Sequence, residues 1–208
     1  MKTRDKITYG ALELFNEQGE RNITTNHIAA HLDISPGNLY YHYRNKQEIV
    51  RSIFELYSSE LLEKFAPIKQ PGNGMNLLEY YMESIFTLMW KYRFLYANLP
   101  EILSRDSELH NDYLLVQSKL QANLVAIMQE FRAIKLLSAT DEELRSLLRT
   151  LHLIATSWLS YQITLSTHNQ VTEKIIIQGM KQMMAIVKPY ATPEGVVQLK
   201  SIEIHLGD

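Results

Sequence analysis

Residues 34–46 read Ile34-Ser35-Pro36-Gly37-Asn38-Leu39-Tyr40-Tyr41-His42-Tyr43-Arg44-Asn45-Lys46. Ser35 followed by Pro36 is a strong helix start, because the serine oxygen can cap free N–H groups and proline at the first helical position gives up a donor that would be orphaned anyway. Asn45, with Glu48 three positions on, is a second start of the capping-box kind. The helix between them is therefore confined to about two turns. Leu39 and Tyr43, four apart, share one face as core. Pro36, Gly37, Asn38, Tyr40, Tyr41 and His42 are left for the outside, a face unusually poor in charge.

Upstream, Thr24 or Thr25 caps a short helix that turns Ile28, Ala29 and Leu32 inward, and Asp33-Ile34 makes a brief turn. Two short helices joined this way have the dimensions of a helix-turn-helix, whose second helix enters the major groove. A preceding helix, with Thr3 as its expected cap, carries Ile7, Ala11, Leu12, Leu14 and Phe15 and stops at Gly19. Tyrosine hydroxyls and imidazoles suit phosphate oxygens, Asn suits a base edge, and Gly37 lets backbone come close. The helix starts at Thr25, Ser35 and Asn45 point free N–H groups at phosphates, and Lys46 supplies a cation.

Residues 3–51, and above all the run from Ile28-Ala29 to Asn45-Lys46, closely resemble the N-terminal domain of TetR/AcrR-family transcriptional regulators. The match covers about a quarter of the chain, with the small residues before Leu-Tyr-Tyr-His-Tyr and the following Asn-Lys all in register. The resemblance implies that Pro36, Gly37 and Asn38 approach bases, that Thr25, Tyr40, Tyr41, His42 and Lys46 hold phosphates, and that Leu39 and Tyr43 are core. That family often has Phe or Val where Tyr43 stands and Gly where Asp33 stands. The departures lead to two expectations: the Tyr43 hydroxyl reaches solvent, and Asp33 turns less freely.

The chain has 208 residues, 21 Lys+Arg against 23 Asp+Glu and no Cys. That length buries a core without staples, and the missing cysteines exclude disulfides and thiolate-held metals. The net charge of −2 excludes coating of nucleic acid by bulk electrostatics, so any contact must be local. The first ten residues show no secretory or organelle leader, which predicts a cytoplasmic protein. The longest charge-free stretch, Thr150–Thr172, is no membrane span, since 13 of its 23 residues are Thr, Ser, His, Gln or Asn.

Apolar spacing of three and four continues to the C-terminus and no strand is expected. The fold class is all-α: a three-helix domain over 1–50 and a larger helical domain over 51–208. Helices are expected from Lys46 to about Phe65, over roughly 75–97 and ended by Pro100, over 107–135, 140–168 and 172–187. Ala66–Gly74 forms a loop, and Glu194–Asp208 is left as a turn or tail. Seven aromatics, Tyr80, Tyr81, Phe86, Trp90, Tyr92, Phe94 and Tyr96, crowd 17 residues. Such a wall is core or the lining of a small-molecule pocket.

TetR-like proteins are one-component sensors, and the resemblance implies an effector pocket in the second domain. Tyr81, Ile85, Met89, Tyr92, Tyr113, Gln117, Leu120, Leu124 and Trp158 are nominated as its lining, for an apolar or aromatic ligand, while Glu83 is assigned to solvent. The resemblance also implies a homodimer through the last two long helices, with Leu147, Leu151, Ile154, Ile176, Gly179, Met180, Met183 and Val187 at the interface. An enzyme is not expected: His27 and His31 have metal-pair spacing but lack the zincin Glu and a third ligand, and no nucleophile motif or cofactor site is evident. The expected function is a DNA-binding repressor released from its operator by a small molecule. The alternative is a helical DNA-binding protein controlled by a protein partner.

Overall fold

The computed structural model describes residues 1–68, 77–166 and 171–205, and ten α-helices lie among them. The first is α1 (Thr3–Gln18). Thr3 is its first helical residue rather than its cap; Lys2 holds that place, and its backbone N–H donates to Asp5 at 3.3 Å. Gly19 ends it with φ 82°, a left-handed conformation glycine adopts without penalty, and donates to the Phe15 carbonyl. A 3-10 turn, Glu20–Asn22, leads to α2 (Thr25–His31) and α3 (Pro36–His42). Ile7, Ala11 and Phe15 of α1 meet Ile28, Ala29, Leu39 and Tyr43 in one buried core. Asp33, between α2 and α3, has φ 52°, so the turn is made with an acidic residue in the left-handed region.

The hydroxyl of Tyr43 does not reach solvent. It lies 2.6 Å from Thr8 Oγ1, donates to Ser52 Oγ at 2.9 Å and accepts from Arg4 Nε at 3.3 Å, so the extra polar atom is absorbed by a buried hydroxyl cluster. Its partner Ser52 stands on α4 (Lys46–Lys64), which begins in the N-terminal three-helix domain and continues into the larger one. Asn45 caps α4 by accepting from Glu48 N–H, but Glu48 reaches back to the Arg44 N–H instead of the cap's own. The expected domain boundary at residue 50 falls inside this helix.

The single helix expected over 75–97 is two, α5 (Leu77–Lys91) and α6 (Arg93–Ser104), with Pro100 exposed inside the second. The break at Tyr92 is held from the other domain. Asn16 of α1 donates from Nδ2 to the Lys91 carbonyl at 2.8 Å and accepts at Oδ1 from Phe94 N–H at 3.1 Å. One amide thus satisfies an orphan group on each side of the break.

Beyond it run α7 (Ser107–Ala133), α8 (Asp141–Leu165) and α9 (Glu173–Val187). Thr140 and Glu143 form the expected capping box of α8. The C-terminal segment is more than a tail: α10 (Pro193–His205) buries Leu199 and Ile202. It is anchored by Thr192 N–H donating to the Leu136 carbonyl and by a single bridge between Leu137 and Ala191.

The residues nominated for a dimer interface are largely used inside one chain. Leu147, Ile176, Gly179, Met180 and Met183 are buried without any second copy, and Leu151, Ile154 and Val187 pack half-buried against the same core. Gly179 shows why: a Cβ there would stand 2.6 Å from the Trp158 ring, and the Trp158 indole N–H donates to the Ile175 carbonyl at 2.7 Å. Helical spacing identified an apolar face correctly, but α8 and α9 turn those faces toward each other and toward α5 and α6. Among the described residues, no helix is long and apolar enough to cross a membrane.

Candidate nucleic-acid interface and effector cavity

Ser35 seats α3 by accepting from the Asn38 N–H at 3.1 Å. Buried Leu39 fixes its inner face, so Pro36, Gly37, Asn38, Tyr40 and Tyr41 all project outward, with Tyr41 85% exposed. His42 is half-buried and its ring meets Tyr41 edge-on at 5.1 Å. Gly37 is unconstrained by the chain. A Cβ there would find its nearest neighbour at 3.9 Å, Ser35 Oγ, and the residue carries no unusual φ. Gly37 stands in the first turn of α3, where neither its backbone angle nor a close neighbour requires glycine.

Thr25 is the first residue of α2 rather than its cap. Thr24 is the cap and accepts from His27 N–H at 3.3 Å. The Thr25 hydroxyl lies 2.9 Å from Tyr40 Oη, which joins two of the expected phosphate contacts across the motif. Lys46 faces inward. Its ammonium donates to the carbonyls of Glu20 and Ile23 and pairs with Glu20 at 2.9 Å, which uses all three donors and leaves none for phosphate. Arg44, exposed just past α3, has no side-chain partner among the described residues and is the cation better placed for a backbone contact. Lys46 and Arg44 are equally charged in the sequence, and only the position of Glu20 separates them. His27 and His31 turn to different partners: His27 joins the Thr24 cap and His31 faces Glu13 at 3.1 Å. No group of three metal ligands occurs among the described residues.

Behind Lys46, a charged clasp ties this domain to the other. Glu20, 5% exposed, pairs with Lys46 and with Arg105 at 2.8 Å, while Glu101 pairs with Arg21 and Arg105. Burial raises the Glu20 carboxyl, but Lys46 and Arg105 outweigh it and hold the group below the usual carboxylate range. Arg51 of α4 grips Asp106, the cap of α7, through two 2.7 Å bonds and also reaches Glu108. The bidentate arginine pulls the Asp106 carboxyl down.

The larger domain encloses a cavity of about 130 Å³. Tyr81, Ile85 and Met89 of α5 and Gln117, Leu120 and Leu124 of α7 line it, as nominated. Tyr92, Tyr113 and Trp158 do not. Tyr92 is fully buried against Tyr57 and under the Lys91 ammonium, Tyr113 packs on Phe54, and Trp158 is committed to Gly179. Glu83 is exposed, as expected. Further lining comes from residues not nominated: Tyr57 and Leu61 of α4, Phe65 just past its end, Tyr96 of α6, and Leu148, His152 and Thr156 of α8. Leu151, Met183 and Val187, nominated for a dimer interface, are also in the wall. Burial lowers the His152 imidazole below its usual value, so it is neutral near pH 7. None of the described lining residues is an acid, lysine or arginine.

Comparisons with known proteins agree with this arrangement. The family described as "Bacterial transcriptional repressor" (TetR) matches residues 56–199, and "Bacterial regulatory proteins, tetR family" matches residues 7–53. A solved TetR-family transcriptional regulator from Marinobacter aquaeolei VT8 is 36% identical over 99% of both chains, with a TM-score of 0.84. The regulator UidR of Escherichia coli K12 is 31% identical over 41% of this chain and 42% of its own length. IcaR of Staphylococcus epidermidis, a negative transcriptional regulator of the biofilm operon icaADBC, is 30% identical over 51% of this chain and 60% of its own. Both of those alignments cover less than two thirds of the relative. With one family description spanning most of the chain and a full-length structural relative beside it, the chain belongs to the TetR family of bacterial DNA-binding transcriptional regulators.

Proposed function

We propose that the protein is a homodimeric repressor whose two α3 helices read the half-sites of a pseudo-palindromic operator in successive major grooves, about 34–36 Å apart, and which a small molecule in the α5–α7 cavity releases. The carrying observation is the outward face of α3, where Asn38, Tyr40 and Tyr41 stand exposed beside a Gly37 the fold does not require. Release has a physical route. Tyr57 and Leu61 of α4 wall the cavity, and the same helix carries Ser52 and Arg51 into the DNA-reading domain and its clasp. An occupant that shifts α4 changes the separation of the two α3 helices and favours dimers mismatched to the operator.

The pairing surface is the outer side of α8, where Leu153, Tyr161 and Leu165 are exposed along with uncharged Thr150 and Ser157. An apolar stripe of this kind suits an isologous helix-bundle contact. Sedimentation analysis of Leu153→Arg/Leu165→Arg should give a monomer that keeps its helicity; a persisting dimer would move the interface elsewhere. For the function itself, a duplex selected from a random pool should bind tightly with excess competitor DNA present, and a ligand that occupies the cavity should weaken it at least tenfold. A bound ligand that leaves operator affinity unchanged would favour control by a protein partner.

A further inference from the structure

The cavity is apolar but not featureless. Gln117 projects into it from α7, and its Oε1 is buried with no hydrogen-bond partner among the described residues. An unpaired buried acceptor normally destabilises a fold. Tyr57 and Tyr96, in the same lining, share one hydrogen bond of 3.2 Å between their hydroxyls. Two hydroxyls carry two protons and that bond uses one, so a donor is left over beside the same space. The wall thus offers an unused acceptor and an unused donor in a largely apolar lining that also holds the neutral His152 imidazole and Thr156, with no acid, lysine or arginine to stabilise an ion.

The volume sets the scale. At about 130 Å³, the space is close to the ~150 Å³ apolar cavity known to stay dry and take up benzene. We infer that the effector of this cavity is a neutral, single-ring molecule carrying a hydroxyl, of phenol size, whose O–H donates to Gln117 Oε1. A hydroxyl both donates and accepts, which is what the two unused groups call for. A carboxylate or ammonium of the same size finds no counter-charge and loses its hydration. The inference rests on the reading of the cavity as the effector site, and names the chemistry that site selects.

Calorimetric titration of the full-length protein with phenol, toluene, benzoate and benzylammonium tests it. Phenol should bind at least tenfold more tightly than toluene, in keeping with one hydrogen bond to a buried group, and both ions should bind more weakly than phenol. In Gln117→Leu the phenol preference should vanish while toluene binds as well as before or better, which also shows that the variant is folded. Gln117→Met provides the same comparison if the leucine variant does not fold. Equal affinity for phenol and toluene in the wild type, a preference that survives both substitutions, or tighter binding of either ion would overturn the inference while leaving a cavity effector in place. Failure of all four probes to bind would overturn both this inference and the cavity reading beneath it.

Discussion

The recognition helix and the cavity put their unused groups in opposite places. On α3, polar side chains are turned out and exposed, and nothing inside the chain accounts for Gly37, Asn38 or Tyr41. Around the cavity the groups without partners, Gln117 Oε1 and the spare proton of the Tyr57–Tyr96 pair, are turned in among mostly apolar side chains. A surface built to meet a polyanion keeps its hydrogen-bonding groups hydrated until contact, whereas a site for a small apolar molecule keeps water out and leaves only a few polar atoms to choose the occupant. Between the two lies the junction, where Glu20, Lys46, Arg105, Arg51 and Asp106 have all found partners. The groups that hold the domains together are satisfied, whereas several of those proposed to meet DNA or an effector are not.

The largest effect should come from the satisfied region. Glu20→Ala removes a buried carboxylate that neutralises Lys46 and Arg105, and should lower unfolding stability by about 2–3 kcal/mol in denaturant titration. A loss below about 0.5 kcal/mol would make the clasp no more than a surface ion pair. Tyr41→Ala should do the reverse, leaving the melting temperature within a degree or two while operator affinity drops about 10–100-fold, from about 1–3 kcal/mol lost at each mismatched contact. A variant that melts early would instead return Tyr41 to the core.

Acid sharpens the same contrast. Glu20 and Asp106 are both held below their ordinary values of 4.5 and 3.8, so the folded state binds fewer protons than the unfolded one around those values. Their contribution is complete above the ordinary carboxylate range and is lost as pH falls from those ordinary values through the lowered ones. Stability measured against pH should therefore fall there, and Glu20→Gln should flatten the fall. An unchanged slope would remove Glu20 from the linkage.

Two smaller effects separate fold from function residue by residue. Gly37→Ala should stabilise the protein by about 0.5–1 kcal/mol and weaken operator binding, because the methyl group costs the fold nothing and stands where DNA backbone would approach. Asp33→Gly should also stabilise, by about 0.5–1 kcal/mol, through relief of the left-handed turn, with operator affinity unchanged. If both substitutions behaved alike toward DNA, Gly37 would lose its special status.

The DNA-reading motif was legible because it is local: Ser35 and Asn45 cap helices through groups three positions away, and Leu39 and Tyr43 meet on one face by helical geometry alone. What escaped depends on residues far apart in the chain. The break at Tyr92 is stabilised by Asn16, and Lys46 is turned inward by Glu20, neither of which helical periodicity reports. The cavity was half legible for the same reason. Its α5 and α7 walls follow from aromatic and apolar spacing, but the parts from α4, α8 and α9 depend on which apolar face meets which neighbour. Leu151, Met183 and Val187 therefore read equally well as interface until the fold placed them in the wall.

The most direct test of the central claim is selection of operator DNA from a randomised duplex pool, followed by fluorescence-anisotropy titration of the enriched sequence at physiological salt. The account predicts an enriched pseudo-palindrome with half-site centres one helical turn apart, about 34–36 Å, bound by two or more protomers and resistant to excess unrelated duplex. No enriched sequence, or binding that unrelated duplex abolishes, would contradict it.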